Sequence, residues 1–399
     1  MTKQNILVYR WGSLSEPSLC RELSVLGYGV FEFAGEMKDY HADSVFAEKL
    51  IQKLHRDKIQ VVFSYDYFPL VAMICDVNHI PYISWIYDCP LHTLNSRTIL
   101  LDSNYIFCFD RIYTDRLLSM GAKHCFHMPL AYNPELGEVL KKDFHDNQKN
   151  FQCELSFVGS LYNEDKNRLR KASLSDYTRG FTDALINSQM LVYGYNFLEQ
   201  SLDSSSENVQ KAVCEISEKC ELSLGENYFW SRAELAASMI GMEVTARERM
   251  AVISEIARKY PMVLYTGSKL PEQIGTENID NRGYADYSRE VPLIFRDSRI
   301  NLNITSKTIE SGIPQRVLDI LSCGGFCMTN YQTEIEEFFR DGVDLVMYTG
   351  MEDLLEKVSY YLEHEDARRR IAQEGKKKVT EEFRLSDRLQ AVFDVLHEG

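Results

Sequence analysis

Asn301-Leu-Asn-Ile-Thr-Ser-Lys-Thr-Ile-Glu-Ser-Gly-Ile-Pro-Gln-Arg-Val-Leu-Asp-Ile-Leu-Ser-Cys-Gly-Gly325 reads as a strand, a polar loop and a helix that stops on paired glycines. The strand, Ile300-Asn-Leu-Asn-Ile304, ends near Thr305. Gly312 gives the loop backbone freedom, and Pro314 sits where a first helical turn tolerates a missing N–H. The helix runs to Ser322, and Gly324-Gly325 is its C-terminal stop. Unsatisfied N–H groups and the dipole at its start form a ready anion site. Arg316 and Asp319 are three apart and share one helical face. A guanidinium there reaches a diphosphate, and a carboxylate one turn on accepts from vicinal ribose hydroxyls. The same spacing describes an ion pair on an ordinary crossover helix, and spacing alone leaves both readings open.

Outward from this stretch the chain alternates between apolar runs and helical patterns. Upstream strands are Cys153-Glu-Leu-Ser-Phe-Val-Gly159, Met262-Val-Leu-Tyr265 and a short one near Asn281; Gly325-Phe-Cys-Met328 and Asp344-Leu-Val-Met-Tyr348 lie downstream. About 100 residues of helical pattern separate the first two, against the dozen or so a crossover needs. They form an inserted helical subdomain at about 165–255. The first 135 residues repeat the alternation, with Ile6-Leu-Val-Tyr9, Gly29-Val-Phe-Glu-Phe33, Gln60-Val-Val-Phe-Ser64, Tyr82-Ile-Ser-Trp-Ile86 and Tyr105-Ile-Phe-Cys-Phe109 as strands. Largely apolar strands alternating with helices predict parallel sheets covered on both faces. The class is therefore α/β, with a Rossmann-like domain at 1–135, a polar linker at 136–150 and a second Rossmann-like domain at 151–380. A terminal helix at 381–399 is expected to pack back on the first domain. Ligands of such sheets collect outside the carboxyl ends of the strands, so two facing sheets would enclose a cleft.

Composition narrows the function. With 44 Lys and Arg against 59 Asp and Glu, the 399-residue chain carries a formal charge of −15. That argues against nucleic acid or anionic lipid as partners, since both need a positive field. The ten cysteines are scattered and lack Cys-x-x-Cys spacing, so they read as reduced thiols. No run reaches the roughly 18–20 apolar residues of a membrane span. The start is no signal peptide, and a cytoplasmic protein is expected. No His, Cys and Asp cluster has metal-ligand spacing, and no Gly-x-Gly-x-x-Gly follows the first strand, which speaks against a dehydrogenase.

The strings Ile-Asn-Leu-Asn-Ile-Thr305, Ser311-Gly-Ile-Pro-x-Arg-Val-x-Asp-Ile320 and Cys323-Gly-Gly-Phe326 resemble the C-terminal half of the group 1 glycosyltransferases of the GT-B fold, and most closely their CgeB/YkvP-like branch. Ser156-Phe-Val-Gly-Ser-Leu-Tyr162, Leu264-Tyr-Thr-Gly267 and Tyr82-Ile-Ser-Trp-Ile-Tyr-Asp-Cys-Pro90 are similar to it as well. The resemblance implies GT-B architecture and transfer of a sugar from a nucleoside-diphosphate sugar, with a UDP-sugar as the expected donor, to a hydroxyl acceptor. It puts Asp319 on the donor ribose, and the backbone of Ser311, Gly312 and Ile313 on the diphosphate and sugar. There is one departure. The larger group often has Glu eight residues before the ribose carboxylate, where this chain has Ser311, with Glu310 one place off.

Other candidates carry two readings each. Gly159 admits a phosphate or is a plain strand-end glycine, and Gly283 with Tyr284 contacts the base or forms a simple turn. Lys307 adds charge at the diphosphate or is a solvated loop lysine. Asp88, past the end of a first-domain strand, is a general base for the acceptor or caps the following turn. Trp11, Gly12 and Trp85 face the acceptor or are buried. The donor side needs neither a cofactor nor a metal on this reading, because helix N–H groups and Arg316 neutralise the diphosphate. A nucleotide-sugar epimerase and a binding protein without turnover are the competing functions.

Overall fold

Tyr82-Ile-Ser-Trp-Ile86 is buried at every position, as is Val61-Val-Phe-Ser-Tyr65, and a strand loses both faces only when helices cover both sides of its sheet. The computed structural model describes residues 4–141, 151–163, 167–220, 225–270 and 277–398. Its first sheet contains β1 (Asn5–Arg10), β2 (Gly29–Ala34), β3 (Val61–Tyr65), β4 (Tyr82–Ile86), β5 (Asn104–Cys108) and β6 (Cys125–His127), all parallel. The second contains β7 (Cys153–Val158), β8 (Met262–Tyr265), β9 (Ile279–Asn281), β10 (Ser298–Asn303), β11 (Cys327–Asn330) and β12 (Val346–Tyr348), also all parallel. Both are Rossmann-like, as the α/β alternation predicts.

Strand order locates where each sheet can bind a ligand. The first runs β2-β1-β3-β4-β5-β6, so the winding reverses between β1 and β3. The second runs β12-β11-β10-β7-β8-β9 and reverses between β7 and β10. At a reversal the two loops leave in opposite directions and open a crevice at the carboxyl edge. The loops in question follow Arg10 and Tyr65 in one sheet and Val158 and Asn303 in the other.

Between β7 and β8 lie helices Arg168–Lys171, Asp176–Met190, Leu198–Leu202, Glu207–Lys219 and Arg232–Ala257. They enclose an apolar core of their own around Ile186, Leu198, Ile216 and Ile240. The longest starts on a capping box, in which Ser231 Oγ accepts from Glu234 N and the Glu234 carboxylate accepts from Ser231 N.

Two compact units result, the first made of residues 4–134, 225–229 and 383–398, the second of 135–224 and 230–382. The sequence does not signal the short excursion Gly225–Phe229, which leaves the insertion for the first unit. There Tyr228 bridges to Ser96 and Phe229 N donates to the Asn95 carbonyl at 2.7 Å. The last helix, Leu385–Glu398, also belongs to the first unit, where Phe393 stacks on Tyr28 at 4.4 Å. Residues 136–141, read as linker, are the body of a helix, Pro134–Lys141; the remainder of that reading, 142–150, lies outside the described residues.

Candidate functional site

At the crevice of the second sheet, helix Gln315–Ser322 begins after Pro314, and no side chain caps it. Arg316 turns from its first turn towards the end of β10 and donates to Asn303 Oδ1 at 3.3 Å. The guanidinium lies over Gly159, where a Cβ would stand 2.8 Å from Arg316 Nη2. Gly159 has φ of +152°, and its glycine is explained by the arginine occupying the side-chain space. Arg249 arrives from the insertion's long helix. Its Nε and Nη2 donate to the Ile304 carbonyl at 3.1 and 2.7 Å, and its Nη1 to the Ser160 carbonyl at 2.5 Å. The rings of Phe157 and Tyr162 flank it. Burial, then the neighbouring Arg316, push the Arg249 pKa down to about 10, and burial also lowers that of Arg316. Two guanidiniums thus converge on one strand edge, and among the described residues neither is hydrogen-bonded to a carboxylate. Glu248 and Asp319 offset their mutual repulsion in part, and an anion between them would offset it further.

Asp319 is 2% exposed and accepts from Tyr287 Oη at 2.8 Å and Gln315 Nε2 at 2.7 Å. The surface ion pair with Arg316 therefore does not form, since Asp319 is buried and Arg316 donates to Asn303. Ser311 Oγ donates to Glu334 Oε1 at 2.6 Å, and Glu334 N donates to the Ser311 carbonyl at 3.1 Å. Glu334 is buried, so a carboxylate stands beside position 311 although Ser311 itself has none. Gly312 and Ile313 are buried as well, which leaves only backbone groups for a ligand.

Lys307 corrects both of its readings. It is buried, pairs with Glu248 at 3.2 Å, donates to the Val192 carbonyl at 3.0 Å and lies 3.7 Å from the Tyr193 ring centre. Its charge is committed to the insertion, and it is no solvated loop lysine. Gly283 has φ of +75° and donates to Asn281 Oδ1 at 3.1 Å, which closes a side-chain turn beyond β9. That turn holds Tyr284 with 78% of its surface exposed.

In the first unit the loop after β1 is closed by its own carboxylate. Glu16 Oε1 accepts from the N–H groups of Trp11, Gly12 and Ser13 at 2.9, 3.2 and 3.1 Å. The amides that would greet a phosphate there are taken. The Trp11 indole donates to the Tyr65 carbonyl at 2.8 Å, so its half-exposed ring is held still. With Tyr9, Met37, Tyr40 and Phe68 it lines a cavity of about 530 Å³. Trp85 is 1% exposed and belongs to the core, which corrects its acceptor-side reading.

Asp88 follows β4 and keeps an exposed edge, yet enough protein surrounds its carboxyl that burial raises the pKa. Its carboxylate accepts no hydrogen bond among the described residues. The turn is capped instead by Asp66, whose Oδ1 accepts from Tyr87 N at 2.8 Å and Asp88 N at 3.0 Å. Asp66 is buried, has φ of +58°, and burial together with Asp88 raises its pKa to about 7. Sequence reading missed Asp66, Arg249 and Glu334. The only available signal was an ionisable residue inside an otherwise apolar stretch, as in Phe63-Ser-Tyr-Asp-Tyr-Phe68. Among the described residues no three His, Cys, Asp or Glu side chains converge as metal ligands.

Residues 247–394, less than half of the chain, match the glycosyl transferase-like family model. Arg249, Ser311, Arg316, Asp319 and Glu334 fall inside the match. A stretch of 107 residues is 29% identical to an uncharacterized protein of Aquifex aeolicus strain VF5, taking in 26% of this chain; the chain spans about a quarter (27%) of that relative's length. In fold, a glycosyltransferase from Rickettsia africae ESF-5 matches at a TM-score of 0.52 and 10% identity over 100% of both chains. Anabaena HepE in complex with UDP-glucose matches at 0.55 and 9% over 100% of both. A putative UDP-N-acetylglucosamine 2-epimerase from Listeria monocytogenes matches at 0.51 and 10% over 100% of this chain and 97% of the other. The two Rossmann-like units make the fold GT-B, and most of the glycosyl transferase-like match, 247–382, lies in the second unit. Among the described residues no helix is long and apolar enough to cross a membrane.

Proposed function

We propose that the chain is a glycosyltransferase that takes a hexose or N-acetylhexosamine from a UDP-sugar and passes it to a hydroxyl on a protein, glycan or small molecule. The observation that carries the reading is the convergence of Arg249 and Arg316 at the β7/β10 reversal with no carboxylate hydrogen-bonded to either among the described residues. As the bond from the anomeric carbon to the diphosphate breaks, negative charge grows on the leaving group. Guanidiniums and helix N–H groups already in place stabilise it without reorganising. Metal independence is part of this proposal. Asp319, in the helix whose start meets the diphosphate, takes the ribose hydroxyls. Glu334, one hydrogen bond behind Ser311, supplies the carboxylate that the position itself lacks. Gly283 and Tyr284 offer backbone and ring to the base.

In the first unit, Asp88 is the general base that removes the acceptor proton, and Trp11, at the carboxyl end of β1 in the same sheet, offers a fixed ring face to the acceptor. The assignment to the CgeB/YkvP-like branch rests on the motifs around Arg316 and is part of the proposal. So is a cytoplasmic location, which the ten free cysteines support. The test is to incubate the protein with a panel of UDP-sugars, with and without saccharide acceptors, and to follow UDP release and sugar configuration by NMR. UDP release with sugar passed to acceptor or water supports transfer. A new epimer formed without acceptor consumption would make the chain an epimerase, and UDP binding with neither product would make it a binding protein.

A further inference from the structure

A second cavity of the second unit lies at the amino-terminal ends of β7 and β10, away from the Arg249–Arg316 edge. Its volume is about 530 Å³, and Cys153, Arg299, Phe326, Arg368 and Arg369 are among its walls. Three of its four arginines are paired with carboxylates that also line the cavity, Arg296 with Asp297 at 2.6 Å, Arg369 with Glu365 at 2.5 Å and, more loosely, Arg299 with Glu154 at 3.6 Å. Arg368 is 6% exposed, and its hydrogen bond goes to the Tyr361 carbonyl at 2.7 Å. Tyr361 and Leu362, which accepts from Arg299, are in the last turn of helix Met351–Glu363. Helix capping therefore accounts for one donor of each arginine, and a guanidinium has five. Burial lowers the Arg368 pKa first, Arg299 lowers it further, and the nearby Glu365 offsets part of this by raising it. Arg368 has no carboxylate hydrogen-bonded to it among the described residues, and a buried cation of that kind is costly unless an anion shares the site.

We propose that this cavity binds a small phosphate-bearing anion, inorganic phosphate or a phosphate monoester, between Arg299 and Arg368. The site is separate from the sugar-donor edge. β7 and β10 are six residues long, which puts the two ends roughly 20 Å apart. The inference does not rest on glycosyl transfer.

Calorimetric titration of the full chain with potassium phosphate and with glycerol 3-phosphate, against potassium chloride at equal ionic strength, tests it. The expected result is one equivalent of phosphate bound, with an affinity unchanged by saturating UDP; the tighter of the two ligands identifies the source. Arg368→Gln should weaken binding by at least about tenfold. Because Arg368 is buried, Arg369→Gln serves as the second variant. Its side chain is 72% exposed, so the fold should be kept and affinity should fall about two- to threefold. No binding beyond chloride in the parent overturns the proposal, since the arginines then only cap the helix. Displacement by UDP overturns it too, by moving the anion to the other edge. Unchanged affinity in a folded Arg368→Gln, or in Arg369→Gln should Arg368→Gln unfold, has the same consequence.

Discussion

Replacing each of the two converging arginines by methionine, which keeps an unbranched stem of similar reach, should separate binding from stability. Arg316 makes a single long hydrogen bond, 3.3 Å to Asn303 Oδ1, worth about 1 kcal/mol. Removing it also removes a cation next to Arg249, a relief of comparable size. Arg316→Met should therefore unfold within about 1 kcal/mol of the parent. Its UDP affinity should fall by about 1.5–3 kcal/mol, or roughly ten- to 150-fold, because a charge-assisted contact to the diphosphate is gone. Arg249 makes three hydrogen bonds to two carbonyls at 2.5–3.1 Å, and both carbonyls are left without this donor in Arg249→Met. That variant should lose about 3–5 kcal/mol of stability in addition to UDP affinity. Urea denaturation followed by circular dichroism gives the stabilities, and calorimetric titration with UDP the affinities. Arg316→Met binding UDP like the parent while losing 3 kcal/mol or more, a threshold taken from the Arg249 figure, would refute the reasoning, because Arg316 would then be a structural arginine.

Asp66 bears on pH. Its pKa is raised to about 7, so its favourable contribution is fully present below the ordinary aspartate value and is lost as pH climbs through about 7. Asp66→Asn, which can still accept from Tyr87 and Asp88, should be more stable than the parent by a few kcal/mol at pH 8 and should lose that lead by pH 4, read by denaturation at both pH values. Asp88→Asn should cut transfer by roughly 10²–10⁴-fold with UDP affinity nearly unchanged and the melting temperature at neutral pH equal to or above the parent's, since a charge that raises the Asp66 pKa is gone; normal initial rates would leave the first unit without a base. Gly159→Ala puts a Cβ into the Arg316 guanidinium and strains a φ of +152°. It should cost about 1–3 kcal/mol in stability and lower UDP affinity several-fold, whereas parent-like UDP binding would show that Arg316 can move without consequence. Turnover should survive EDTA in a donor-release assay, and loss that manganese or magnesium restores would mean the diphosphate is neutralised by a metal.

The α/β class, the two sheets, the helical insertion and the helix Gln315–Ser322 are legible in the sequence because their signals are local. An apolar run of five residues can bury both faces only in a covered sheet, and Pro314 and Gly324 mark the two ends of their helix within ten residues of each other. Arg316, Gly159 and Asp319 were likewise visible as residues of the right type at strand ends. Their partners were not. Gly159 is glycine because of a side chain far along the chain at position 316, and Arg249 looks like any other arginine in Ala246-Arg-Glu-Arg-Met250 until its helix crosses the ends of β7 and β10. Trp85 was a plausible sugar platform by composition, and only the packing of both sheet faces decided that it is core. The same holds for Lys307, which the insertion buries against Glu248, and for Asp66, whose raised pKa comes from burial and then from Asp88 beyond the end of β4. Periodicity and capping act between residues a few positions apart, so chain order records them. Burial and charge–charge interaction act through space, at distances set by which strands become neighbours, and tertiary structure alone decides them.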